Sequence, residues 1–155
     1  MKNCFQKIER NNCTLYIHKD FRNAALEDAL LTGKKTLLER YRTIVVPSSA
    51  FACVYKFAVN FNGIEKKVYV KEHLDRSILD VVKHLVHASR ARRAWKAAMM
   101  LAENGFQTPA VIAMGEEKSG LFNVRNFLVT LEVENAPDIF QLICDRQKNL
   151  SVKLK

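Results

Sequence analysis

Lys71 ends the run Val68-Tyr69-Val70-Lys71, which follows an Asn62-Gly63 pair and precedes a long helical stretch. By itself a strand-end lysine reads as an ordinary solvated residue, and only an ordered context makes its fixed positive charge a phosphate contact. Arg90, Arg93 and Lys96 recur at a spacing that gathers them on the polar side of a helix around Trp95. Such a cluster reads first as a solvated face, and second as a contact for phosphorylated sugar, lipid headgroups or nucleic acid. His84 and His87 stand three apart without a third ligand and beside Lys83, so they read as surface residues. Cys4, Cys13, Cys53 and Cys144 are widely separated, with no C-x-x-C. That spacing fits neither a zinc site nor a disulfide framework and reads as reduced thiols of a cytosolic protein.

The elements that must position these groups follow from pattern. Thr43–Val46, Phe51–Val59 and Lys67–Lys71 read as three strands, with Pro47-Ser48-Ser49 turning the first into the second. Asn62-Gly63 is a hairpin signal joining the second to the third. Ile78, Leu79, Val82, Leu85 and Val86 then make an apolar helical stripe. Ser89 is placed to cap a second helix whose Ala91, Ala94, Trp95, Ala98, Met99 and Ala102 share a face and which ends at Gly105. Val111–Met114 and Val124–Val133 read as two further strands, Glu116–Gly120 as the turn between them, and Asp138 onward as a last helix. Before Thr43, residues 13–19 read as a short strand, and Ala24–Arg42 as one or two helices around Gly33. The predicted fold class is α+β: a five-stranded antiparallel sheet with one principal helix packed on it, plus an N-terminal helical extension.

Composition agrees with a packed chain. Of 155 residues 48% are hydrophobic, with only 5 Gly and 3 Pro, which excludes a disordered or low-complexity polypeptide. The 25 Lys and Arg against 16 Asp and Glu leave a net charge of +9 and favour anionic partners. The N-terminus has no apolar run of signal-peptide type, and no stretch approaches the roughly 18 apolar residues of a spanning helix.

Ser89-Arg90-Ala91-Arg92-Arg93-Ala94-Trp95-Lys96-Ala97-Ala98, followed by Asn104-Gly105-Phe106-Gln107-Thr108-Pro109-Ala110-Val111, resembles the lipopolysaccharide core (Kdo/heptose) kinase family. The family typically shows S-R-A-x-R-E-W-x-A and then L-x-x-x-G-x-x-T-P-x-P/V. The Val-Tyr-Val-Lys strand upstream and Phe127-Leu128-Val129-Thr130 downstream match it in the same order, and the resemblance covers roughly residues 43–143.

The resemblance implies a protein-kinase-like fold, of which this chain would be the N-terminal lobe. It would divide into an extension over 1–42, the lobe over 43–143, and the start of a connection to a C-lobe over 144–155. Lys71 would hold the phosphates of ATP, and Ser48 and Ser49 would lie in the turn that covers them. Thr130 would stand near the gatekeeper position, with Leu131-Glu132-Val133 as the hinge that meets adenine. ATP with Mg would be the cofactors, a lipopolysaccharide inner-core sugar the substrate, and the cytoplasmic side of the inner membrane of Gram-negative bacteria the setting. Arg90, Arg93 and Lys96 would offer a peripheral membrane contact.

The sequence also departs from the family pattern. Ala94 stands where the helix glutamate that pairs with the strand lysine is usual, and no G-x-G-x-x-G precedes the second strand. Only 22 residues follow Val133, without H-x-D or D-F-G. His18-Lys19-Asp20-Phe21-Arg22-Asn23 looks like a catalytic loop, but it precedes Lys71 and its Asn is too near. No catalytic residue is therefore expected in this chain, and the C-lobe is expected on a continuing or separate chain. Two alternatives are a non-catalytic basic module for nucleic acid or an acidic membrane, and a pseudokinase scaffold suggested by Ala94.

Overall fold

The computed structural model describes residues 4–74, 88–120, 122–134 and 136. They form strands β1 (Phe5–Arg10), β2 (Cys13–His18), β3 (Ile44–Val46), β4 (Ala52–Phe61), β5 (Ile64–His73), β6 (Val111–Ser119) and β7 (Phe122–Leu131). The helices among them are α1 (Ala24–Thr32), α2 (Lys34–Arg40) and α3 (Arg90–Glu103). All seven strands join one antiparallel sheet in the order β1-β2-β6-β7-β5-β4-β3. The predicted helices over 78–86 and from Asp138 lie outside the described residues, as do His84 and His87.

Turn chemistry accounts for much of the pairing. Asn62 and Gly63 take φ of +52° and +87°, and the hairpin they close pairs Phe61 with Ile64 through to Ala52 with His73. That is the expected Asn-Gly turn, whose backbone twist matches that of the flanking strands. Asn11 and Asn12, at +50° and +62°, close β1 onto β2 in the same way.

The five-strand expectation is therefore corrected to seven. The five expected strands are present as β3 to β7, the short strand expected over 13–19 is β2, and unexpected β1 pairs with it at the β6 edge. β1 escapes pattern reading because Phe-Gln-Lys-Ile-Glu-Arg is a largely exposed edge strand without two-residue alternation. A second correction concerns Glu116–Gly120. β6 continues to Ser119, and the chain reverses only at Gly120, where φ is +59°.

The helices cover both faces of the sheet. Asn23 caps α1, its side chain accepting the Leu26 N–H at 2.9 Å, and its amide reaches Asn60 O at 2.8 Å to tie the cap to β4. Gly33, with φ of +125°, ends α1 and starts α2. Leu26, Ala29, Leu30 and Leu37 point from these helices onto Leu15, Ile17, Phe57, Val68, Val70, Phe127 and Val129. Each fully buried leucine, isoleucine or phenylalanine there contributes about 1.5–3 kcal/mol. The main hydrophobic layer thus belongs to the segment expected to be an extension. The principal helix α3 lies on the opposite face, where its capping residue Ser89 and Ala91 are buried but Trp95 and Met99 only half-buried.

Candidate functional site

Strand alternation decides which side chains share the α3 face. Val68, Val70 and Glu72 of β5 point into the α1–α2 layer, so Tyr69, Lys71 and His73 point to the other side. The register sets Lys71 between Val54 of β4 and Leu128 of β7, and Tyr69 between Lys56 and Thr130. Lys71 is exposed and makes no hydrogen bond or ion pair with any described residue. Ala94 is half-buried on α3 and offers no carboxylate to it.

The segment after β7 is fixed by its own side chain. The Glu132 N–H donates to Lys67 O at 2.9 Å, and the Leu131 N–H to Ala110 O at 2.9 Å. The Glu132 carboxylate accepts from the Lys56 ammonium, accepts from the Tyr69 hydroxyl at 3.2 Å, and has the Lys67 ammonium 3.6 Å away. The Lys56 hydrogen bond holds the Glu132 carboxyl below its usual range, against a smaller opposing effect of burial. Glu132 therefore pins β4 and β5 to the end of β7, while Val133 beyond it is half exposed. Thr130 is half-buried between Tyr69 and Val111.

Ser48 and Ser49 shape their turn from within. The Ser48 hydroxyl donates to Ala52 O at 2.7 Å, and the Ser49 hydroxyl accepts the Phe51 N–H at 3.4 Å. The Ala52 N–H closes back on Ser49 O at 3.1 Å, and the Leu74 N–H donates to Phe51 O at 3.0 Å. The turn is thereby tied to the end of β5, three residues beyond Lys71.

The seating of α3 depends on residues that spacing does not reveal. Ser89 caps the helix, its hydroxyl accepting the Arg92 N–H at 3.1 Å while donating to buried Glu116. Arg92 meets the same carboxylate through Nε, at 3.1 Å from Oε2, and through Nη2. Fully buried Asn126 accepts the Ala91 N–H at 3.2 Å. Glu116 was expected in a turn, and its partners lie 24 and 27 residues away. No local pattern could pair them.

Burial raises the Glu116 carboxyl, but the hydrogen bonds from Arg92 and Ser89 outweigh it, and the net direction is downward. A carboxyl lowered in the folded state adds stability above its unfolded value and loses it as pH falls through the folded one. Glu116→Gln is accordingly expected to cost about 1.5–2 kcal/mol at neutral pH, the lower part of the range for charged hydrogen bonds because Arg92 is partly exposed. In urea denaturation the gap between the two proteins should narrow as pH drops below the ordinary carboxylate value. A gap of constant size would contradict the ionic role.

The basic cluster on α3 divides. Arg93 and Lys96 are exposed, whereas half-buried Arg90 turns towards the sheet, donating to Leu74 O at 3.3 Å. Its guanidinium lies over the Phe51 ring, 5.8 Å from the centroid. Trp95 packs against Phe5 and Tyr16, with ring centroids 5.1 and 5.3 Å away, as a packing residue should. His18-to-Asn23 is structural as well. His18 Nδ1 accepts the Asp20 N–H at 3.3 Å, and Arg22 pairs with Glu27 just beyond the Asn23 cap.

Burial pushes the Cys13 thiol up to about 11, which makes it a poor nucleophile. Among the described residues no group of three His, Cys, Asp or Glu could hold a metal ion. Among the same residues no helix is long and apolar enough to cross a membrane.

Comparison with known proteins bears on the same region. No curated protein and no solved structure matches the chain. A family model does match, from Ser48 to Lys155, and so takes in the serine turn, Lys71, α3 and the segment after β7. With more than half of its residues covered by that match, the chain belongs to the lipopolysaccharide kinase (Kdo/WaaP) family.

Proposed function

We propose that this chain is the ATP-binding N-lobe of a lipopolysaccharide core sugar kinase, which transfers phosphoryl from ATP to a sugar hydroxyl. The observation that carries the reading is Lys71: an exposed ammonium on the α3 side of the sheet, without a partner among the described residues. An unneutralised cation at a fixed strand position suits a polyphosphate. In this reading Lys71 holds the phosphates and the Ser48–Phe51 turn covers them. Thr130 borders the base, and the main chain of Glu132 and Val133 runs along it, braced by the Lys56–Glu132 pair. ATP supplies the transferred group. Magnesium would accompany the nucleotide and neutralise its phosphate oxygens.

In this reading the task of the described residues is to bind and orient the nucleotide. The setting is the cytoplasmic side of the inner membrane in Gram-negative bacteria. Arg93 and Lys96, exposed on α3 with Met100, are the side that would face an anionic membrane surface.

Mg-ATP is expected to raise the melting temperature of the wild-type chain, and Lys71→Ala to weaken binding at least tenfold while the unliganded melting temperature stays unchanged. The absence of any ATP-dependent shift in the wild type would end the proposal. Equal shifts in both proteins would remove Lys71 from the site.

A further inference from the structure

Three polar groups on the α1–α2 side of β4 have no part in the site described above. Cys53 and Tyr55 stand two residues apart on one strand, so both side chains point to that layer. Tyr55 is buried, and its hydroxyl, out of reach of water, makes no hydrogen bond. Lys34, the first residue of α2, brings its ammonium to 5.4 Å from the Tyr55 ring centroid. Lys34 and Cys53 are the polar side chains that border the hydroxyl. Cys53 itself is only half-buried and packs against the core.

The surroundings of this sulfur are a donor and a cation. Burial raises the Tyr55 phenol above its usual value, so it stays protonated as a donor. The phenol in turn holds the Lys34 ammonium above its usual value, so it stays charged. Glu72 stands opposite Cys53 in the sheet, and its carboxylate is already engaged by Arg125. A thiol bordered by a cation and partly open to solvent is the setting in which cysteines react. A buried donor without an acceptor is uncommon in a folded chain. Here it borders an atom that oxidation would equip with one.

We propose that Cys53 is an oxidation site for peroxide, and that its sulfenic oxygen is held by the Tyr55 hydroxyl and the Lys34 ammonium. In the step, the Cys53 sulfur attacks one oxygen of hydrogen peroxide, and the S–O bond forms as the O–O bond breaks. The other oxygen leaves as hydroxide and takes the proton that the thiol gives up, so water is the second product. Sulfur loses two electrons and the peroxide gains them. The new oxygen is the acceptor that the Tyr55 hydroxyl lacks. The site is independent of the nucleotide reading, because Cys53 and Tyr55 point to the opposite face from Lys71.

The test treats the full 155-residue chain with hydrogen peroxide and dimedone, and follows each cysteine by peptide mass spectrometry. Cys53 is expected to form the dimedone adduct roughly tenfold faster than buried Cys13. Tyr55→Phe removes only a hydroxyl without a partner, so its melting temperature should stay at the wild-type value. Its Cys53 adduct is expected to form about fivefold to tenfold more slowly, the effect of one hydrogen bond. Lys34→Gln, at an exposed position, should slow the same adduct. Exposed Cys4 is the reference and should react alike in all three proteins. If Cys53 forms no adduct, or one no faster than Cys13, the proposal is overturned. Wild-type rates at Cys53 in both variants would mark an ordinary thiol and overturn it equally. Should Tyr55→Phe lower the melting temperature, Lys34→Gln decides: a slowed adduct supports the site and an unchanged one refutes it.

Discussion

Arg125→Ala is expected to destabilise the fold by about 3–5 kcal/mol, the range for leaving one member of a buried ion pair alone. Arg125 and Glu72 have side chains only 12% and 11% exposed, so neither charge can turn to water when its partner is lost. Arg125 also donates to Leu30 O at 3.0 Å and lies 4.5 Å from the Phe127 ring centroid. The Glu117 carboxylate is 3.7 Å away. One side chain thus ties β5, β6 and β7 to α1, across the layer that holds the main core. The double variant Arg125→Met with Glu72→Leu should recover much of the loss, because it removes both charges and keeps apolar volume. Guanidinium denaturation of the three proteins measures the effect. A single variant that unfolds with the wild-type midpoint would show that the pair contributes nothing.

Gly115→Ala is the second large effect, and its cause is space. A Cβ built at Gly115 would lie 2.1 Å from Phe127 Cζ and within 2.8 Å of two other ring atoms. Gly115 and Phe127 face each other across β6 and β7, and the phenyl ring fills the place a side chain would take. Phe127 is fully buried, so its ring cannot swing aside without displacing Leu15 or Val129 of the same core. Overpacking of this kind typically costs about 1–3 kcal/mol and more where the neighbour is rigid, so a loss near or above 3 kcal/mol is expected. Thermal unfolding of Gly115→Ala, alone and with Phe127→Leu, separates the causes. Relief of the added loss in the double variant supports the steric account, and additive losses would refute it.

Both effects involve contacts between residues far apart in the chain, and this separates what was legible from what was not. The Asn62-Gly63 hairpin was readable because its turn chemistry and its flanking alternation are local. So were the Ser89 cap, the helix that follows it, and the break between α1 and α2 at Gly33. The Asn11-Asn12 turn carried a weaker version of the same signal, yet β1 beside it lacks alternation. Glu116 illustrates the other limit. A glutamate next to Glu117 and Lys118 has the composition of a turn, and only the cap of a distant helix makes it a buried strand residue.

The site divides in the same manner. The family resemblance pointed to Lys71, the serine turn, the capped helix and the segment at Thr130–Val133. Those are matters of residue type and succession. Tertiary structure decided that the Glu132 carboxylate is occupied by Lys56 and Tyr69, and that both serine hydroxyls bond within their turn. It also decided that Arg90 faces the sheet while Arg93 and Lys96 face away. Sequence alone determined the basic charge, the α+β class and the order of elements that carry the family motifs. The seven-strand order, the layer formed by α1 and α2, and the pairing of each buried charge belong to the folded chain. Their physical reason is common to all three: strand neighbours and buried ion pairs are chosen by burial across long separations, which no local spacing encodes.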